Sequence, residues 1–181
     1  MEDVKALRDE QIIERIRQGE TSLFREIVER YHAKLLRFAE RYVRSRDVAE
    51  DVVQEAFIKA YRNLWTFDTS LMFSSWIYRI VRNEAINSYS KARRVREFVS
   101  ELAAEAIDVV ELSHEMVSVR QEEREMVARY VKDLPVAYRE PLELFFFEEK
   151  KYEEISEILH IPVSTVGIRI MRAKALIKKR L

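Results

Sequence analysis

Apolar residues recur at helical spacing along most of this chain. Leu23, Phe24, Ile27, Val28, Tyr31, Leu35, Phe38, Ala39 and Tyr42 fall on one face and predict a long amphipathic helix over about 21–44. Gly19 separates it from a shorter predicted helix over 10–17. Asp47 followed by Glu50 resembles a capping box, and Val48, Val52, Ala56, Phe57, Tyr61 and Leu64 then line the inner face of a third helix. Residues 65–70 read as a loop with Asp68, Thr69 and Ser70 as candidate caps. A fourth helix is expected from Phe73 to about Arg96, with Trp76, Ile77, Ile80 and Val81 inward. These four helices can share one core.

The periodicity then fades. Residues 97–118 hold small, scattered apolar residues and are expected to form a linker. It returns over 119–133, and Pro135 suits the first position of the next helix. Pro141 lies inside that helix and predicts a kink, because it removes one backbone hydrogen bond. Tyr152, Ile155, Ile158 and Leu159 then face inward on a short helix. His160 and Ile161 make a tight turn before Pro162, and Val166, Ile170 and Ala173 face inward on a last helix. Two short helices joined by such a turn are a helix-turn-helix pattern. The expected fold is all-α: two small helical domains, 1–96 and 119–181, joined by an acidic linker over 97–118, with the helix-turn-helix in the second domain.

Composition narrows this further. Two glycines and three prolines in 181 residues are too few for the turns of a β-protein. The absence of cysteine excludes disulfides, thiolate metal sites and cysteine nucleophiles. No apolar stretch is long enough to predict a membrane span, and the polar first twenty residues predict a cytoplasmic protein. His32, His114 and His160 stand apart, and no glycine-rich phosphate loop exists, so neither a metal, a cofactor nor an enzymatic activity is expected. Glu153 and Glu154 sit at a helix start, where dipole compensation accounts for them.

Zero net charge conceals alternating blocks. Residues 71–96 carry six bases against one acid, and 150–181 carry eight against three. Residues 97–118 carry six acids and no base, and 47–70 carry five acids against two bases. Basic blocks can neutralise phosphates, whereas acidic ones repel them. The first basic block interleaves Phe73, Trp76, Tyr78 and Tyr89 with Arg79, Arg82, Arg93 and Arg94. Aromatic and guanidinium surfaces stack on unpaired bases, and Asn83 and Asn87 can bond base edges, which suits a melted strand. Trp76 is the exception, since its spacing with Ile80 favours core packing. The second block places Arg169, Arg172, Lys174, Lys178, Lys179 and Arg180 on the last helix, with no acid from Ser164 onward. Such a helix fits a major groove.

Four segments, in this order, resemble the extracytoplasmic-function sigma factors: IIERIRQGETSLFREIVERYHAKLLRFA, DVAEDVVQEAFIKAYRNLWTFD, FSSWIYRIVRNEAI and LPVAYREPLELFFFEEKKYEEISEILHIPVSTVGIRIMRAKALI. The resemblance covers about 10–96 and 119–181. It implies a specificity subunit that binds core RNA polymerase and directs it to promoter DNA. Asp51, Gln54, Glu55, Ile58 and Tyr61 would meet the clamp of the largest polymerase subunit. Loop 65–72 and the helix after it would capture and melt the minus-10 element, through Phe73, Arg79, Arg82, Asn83, Asn87, Arg93 and Arg94. Ser164, Thr165, Gly167, Ile168, Arg169, Met171, Arg172 and Lys174 would read the minus-35 element. The second domain would also touch the flap of the second-largest subunit. The linker would thread toward the active centre and RNA exit path, its acids mimicking RNA charge. An anti-sigma factor is a further expected partner. A stand-alone helix-turn-helix regulator is the alternative, which the neutral total charge disfavours.

The chain departs from the family pattern GTVKSRLHRAR at its last helix, which here reads STVGIRIMRAK. Gly167 replaces a base, Ile168 a serine, and Met171 a His or Phe. Ile168 offers an apolar contact suited to a thymine methyl and no hydrogen bond. An unusual minus-35 preference is therefore expected, with affinity drawn from Arg169, Arg172 and Lys174. His160 stands where the family turn holds glycine, so a left-handed conformation is expected there.

Overall fold

The computed structural model describes residues 4–43, 45–102, 130–131 and 133–179, with backbone only over 92–102. The chain divides into two compact units, Met1–Phe98 and Val99–Leu181. In the first, α1 spans Asp9–Arg17, α2 Phe24–Ala39, α3 Arg46–Arg62 and α4 Phe73–Leu102. In the second, α5 spans Val136–Phe146, α6 Tyr152–Leu159 and α7 Val163–Lys178. No strand occurs among the described residues.

Ile12, Ile13 and Ile16 of α1, Ile27, Leu35 and Phe38 of α2, Val53 and Phe57 of α3, and Phe73, Ile77, Tyr78 and Val81 of α4 are buried and form the core of the first unit. On the third helix Val52, Ala56 and Phe57 are buried as expected, and the expected face differs at its ends. The buried stripe is Ala49, Val52, Val53, Ala56, Phe57 and Ala60, and Val48 is exposed. Alanines on that stripe face α2, and Tyr61 stands half-buried at the edge of the contact, against Phe24. Asp47 does not cap α3: the helix begins at Arg46 with Ser45 extended before it, so Asp47 lies in the first turn and acts on the dipole alone. Helix α2 ends five residues before its expected end, where Arg41 and Tyr42 donate to Phe38 and Ala39 in tight turns.

Long-range polar contacts fix this frame. The Glu10 carboxylate of α1 accepts the N–H of Phe73 at 3.0 Å and so caps α4, a role that Asp68, Thr69 and Ser70 do not take. Asp68 instead accepts the N–H of Ser70 at 2.9 Å. The Arg17 guanidinium donates to the carbonyl of Leu64 at 2.6 Å and to that of Phe67, holding the turn between α3 and α4. Arg30 on α2 donates to the carbonyls of Val4 and Leu7 and to the carboxylates of Asp9 and Glu26. Burial opposes its charge, and the hydrogen bonds to Glu26 and Asp9 outweigh that, leaving its pKa raised. Tyr31 donates its phenol proton to Asp9. Burial, then the Asp9 charge, raises the Tyr31 pKa well above its usual 10. A raised pKa means that this contribution is intact below about pH 10 and is lost as pH rises further. Tyr31→Phe is therefore expected to flatten the alkaline limb of the unfolding midpoint; an unchanged limb would count against this.

Helix α4 continues to Leu102, into the first six residues of the expected linker. No glycine or proline interrupts that stretch, and Glu97, Glu101 and Leu102 are compatible with helix. Residues 103–118, the rest of that segment, lie outside the described residues, as do 119–129 of the helix expected before Pro135.

In the second unit Leu142, Leu144, Ile155, Ile158, Val166, Ile170 and Ala173 are buried where α5, α6 and α7 meet. Pro135 and Pro162 each stand one residue before a helix rather than inside it. Helix α5 runs through Pro141 from Val136 to Phe146. The α6–α7 turn is closed by His160 at φ 52° and ψ 48°, the left-handed conformation expected of it. Ser156 Oγ donates to the Ile161 carbonyl at 2.6 Å across the same turn. At the start of α6 the Glu154 carboxylate accepts the Lys151 N–H at 3.0 Å and pairs with Lys150 Nζ at 3.3 Å, so it does more than offset the dipole.

Candidate nucleic-acid interface and docking groove

Three surfaces gather the residues expected to function. The first is an open groove of about 700 Å³ between α2 and α3. Asp51, Gln54, Ile58 and Tyr61 follow one another along α3 at helical spacing and line one wall, with Glu50 and Arg62 beside them. Phe24, Val28 and His32 of α2 form the other wall. Tyr61 is fixed by edge contacts with Phe24, at 5.0 Å between ring centroids, and with Trp65 at 5.7 Å. Ile58 is 38% exposed and gives that wall an apolar surface. The groove thus combines an apolar floor with an acidic rim. Glu55 does not line it. It pairs with Lys59 at 3.6 Å, and Lys59 pairs more closely with Glu84 of α4 at 2.7 Å.

The second surface is a cleft of about 320 Å³ lined by Lys59, Asn63, Thr66, Trp76, Ile80, Asn83 and Glu84. Asn83 is exposed there, as sequence reasoning expected. Trp76 is half-buried, with its ring 4.8 Å from Phe67 and 5.6 Å from Phe73, so it is both packed and presented. Asn87 is exposed, and Arg79 and Arg82 are partly exposed. Phe73 is a correction. It is 0% exposed and packs against Tyr31 and Phe67, because it continues the buried stripe of Ile77, Val81 and Ala85. It offers no surface to a base. The side chains of Arg93 and Arg94 lie outside the described residues. Sequence reasoning misses Lys59 and Asn63, since they lie on and just after α3 and meet Asn83 only in the fold. Hydrogen bonding to Glu84 holds the Lys59 pKa above its usual value, so the cleft keeps a fixed ammonium.

The third surface is the outer face of α7. Ser164, Ile168, Met171 and Arg172 are exposed, and Thr165 and Arg169 are partly so. Two residues expected there have other attachments. The Lys174 ammonium sits 5.0 Å from the Phe146 ring and 5.8 Å from Phe145, which ties α7 to the end of α5. Gly167 turns toward α6, where a β-carbon would lie 3.4 Å from the Tyr152 ring. That distance is ordinary contact, and alanine avoids the cost of glycine inside a helix. Gly167→Ala is expected to stabilise the second unit by about 0.5–1 kcal/mol. Thermal unfolding checks this, and a lowered midpoint would count against the packing described.

Among the described residues no group of three or more histidines and carboxylates is placed to hold a metal ion. No helix there is long and apolar enough to cross a membrane.

Residues 27–95 match the family model for sigma-70 region 2, and 124–177 match that for sigma-70 region 4. The RNA polymerase sigma-H factor of Pseudomonas aeruginosa is 37% identical over 96% of this chain and 94% of its own length. The ECF RNA polymerase sigma-E factor of Escherichia coli K12 is 38% identical over 96% and 94%. That of Haemophilus influenzae is 36% identical over 97% and 96%. Among solved structures, CnrH in complex with the cytosolic domain of CnrY aligns with a TM-score of 0.70 at 22% identity, covering 98% of this chain and 96% of that one. The sigma factor RpoE of Bartonella quintana, solved with the anti-sigma factor NepR, aligns at 0.66 and 20%, covering 86% and 94%. Both share the fold described above.

Proposed function

The chain belongs to the extracytoplasmic-function family of RNA polymerase sigma factors, and from that premise we propose how its surfaces divide the work. It acts as a non-enzymatic specificity subunit in the cytoplasm: it binds core RNA polymerase and directs it to promoters. Residues 1–96 bind the polymerase and the minus-10 element, 97–118 connect, and 119–181 read the minus-35 element. The α2–α3 groove receives the clamp of the largest subunit. Its apolar floor supplies the contact energy, while Asp51 and Gln54 fix the register. The cleft around Trp76 and Asn83 receives an unpaired base of the melted minus-10 strand. There the indole offers a stacking face, and Asn63 and Asn83 offer amides, beside the Lys59–Glu84 ion pair. Arg79, Arg82 and Asn87 attend the same strand. Helix α7 enters the major groove upstream. An anti-sigma factor silences the chain by covering the polymerase-facing surfaces.

Zero net charge over the whole chain sets how these parts combine. Each domain alone is a weak DNA binder, and polymerase holds the two so that their energies act together. The observation that carries this reading is the convergence of Asp51, Gln54, Ile58 and Tyr61 on one open groove, separate from the cleft that holds Trp76 and Asn83. Mixing the chain with core polymerase and a promoter library tests it. Promoter-specific transcripts are expected only when both are present. Specific DNA binding by the chain alone, with no transcripts, would favour a stand-alone regulator instead.

A further inference from the structure

The outer face of α7 has an order that a merely solvated basic helix does not need. Ser164, Ile168, Met171 and Ala175 are all exposed and recur at intervals of four, three and four residues, so they form one stripe along the middle of that face. Ile168 is 47% exposed and Met171 63%. Arg172 lies along one side of the stripe and Lys178 along the other, and no acid occurs on the helix. A stripe that is apolar from Ile168 onward, headed by the Ser164 hydroxyl and flanked by cations, matches a major groove, whose floor is bases and whose two rims are phosphates. Among base edges in that groove, the one apolar group is the 5-methyl of thymine. Neither Ile168 nor Met171 can donate a hydrogen bond to guanine; Ile168 has no acceptor, and the Met171 thioether is only a weak one for cytosine.

Resting on the sigma-factor reading above, we infer that Ile168 and Met171 are specificity-determining residues that read thymine methyl groups at neighbouring base pairs of the upstream promoter element. Discrimination then comes from burying methyls against two apolar side chains. Position in the groove comes from Arg172 and Lys178 on the phosphates. The side chains stand one helical turn apart, so they address different base pairs. Tyr152 filling the space beside Gly167 supports the helix from behind without adding a polar group to the reading face.

Deoxyuridine tests this directly, because it keeps every hydrogen-bonding group of thymine and lacks only the methyl. Holoenzyme assembled from core polymerase and the full chain is measured on the promoter recovered from the library, with each upstream thymine replaced in turn. Loss of one read methyl is expected to weaken the promoter complex about fourfold. Ile168→Ala is expected to abolish the uracil effect at one position and Met171→Ala at another, while Ile168→Leu keeps it. Both side chains are exposed, so the variants should fold, and circular dichroism checks that they do. Promoter-specific transcription that is indifferent to uracil at every upstream position overturns the inference and leaves the sigma reading standing. Uracil effects unchanged in both alanine variants also overturn it, by assigning the methyls to other residues. No promoter-specific transcription at all removes the sigma reading, and this inference with it.

Discussion

Arg30→Met should destabilise the first unit by about 3 kcal/mol, the largest loss expected of any single polar substitution in it. The methionine fills much of the same volume, so the loss is electrostatic. It strands the Asp9 and Glu26 carboxylates, whose side chains are 18% and 16% exposed, without their cation. It also leaves the carbonyls of Val4 and Leu7 without the donor that gathers the N-terminal segment onto α2. Asp9 is the acceptor for Tyr31, so that bond is disturbed too. Arg30→Lys keeps the charge but not the planar fork, which serves both carboxylates and the carbonyls together. It should recover about half of the loss. Urea unfolding of the three proteins measures this. A methionine variant within 1 kcal/mol of the parent would mean that water substitutes for the guanidinium.

That network also marks how far the sequence alone could be read. The helices were legible because their buried positions repeat at three and four residues, and the left-handed turn at His160 followed from the family resemblance, which puts glycine at that position. What stayed hidden depends on residues far apart in the chain. Arg17 holds a turn 47 residues on, and Glu10 caps a helix 63 residues on. Nothing in the local pattern of either residue announces its partner. The burial of Phe73 was partly visible, since it precedes Ile77 by four residues. Its place beside a basic, aromatic stretch pointed the other way, and the aromatic cluster with Tyr31 and Phe67 decided the matter. On α3 the middle of the stripe, Val52, Ala56 and Phe57, was legible, and its ends were not. Alanines carry no size signal, so Ala49 and Ala60 were not seen as core, and Val48 was. The groove residues were legible individually through the family resemblance. That Asp51, Gln54, Ile58 and Tyr61 share one surface with Phe24 and Val28, while Glu55 turns to Lys59, belongs to the fold.

Ile58→Asp should therefore abolish holoenzyme formation while leaving the chain folded. Ile58 contributes little to the core, since it is 38% exposed and stands outside the buried stripe of α3. Its replacement should cost less than 1 kcal/mol of stability. The effect on docking is of another size. Ile58 lies on the apolar floor of the groove between Phe57 and Tyr61, and a partner seated there would exclude water from it. A carboxylate at that position must be desolvated on binding, in a groove that already holds the acidic Glu50 and Asp51. Truncating a hot-spot residue at the centre of an interface costs about 2–4 kcal/mol, and a buried charge costs at least as much, so affinity for core polymerase should fall by about 100-fold or more. Glu55→Gln is the companion variant. Because Glu55 pairs with Lys59 outside the groove, its affinity should fall by less than about threefold. Sedimentation of each variant with core polymerase separates the two, and unchanged helical content guards against unfolding. If Ile58→Asp bound as the parent does and Glu55→Gln did not, polymerase would dock on the Lys59 side of α3, and the groove between α2 and α3 would have to be assigned to another partner.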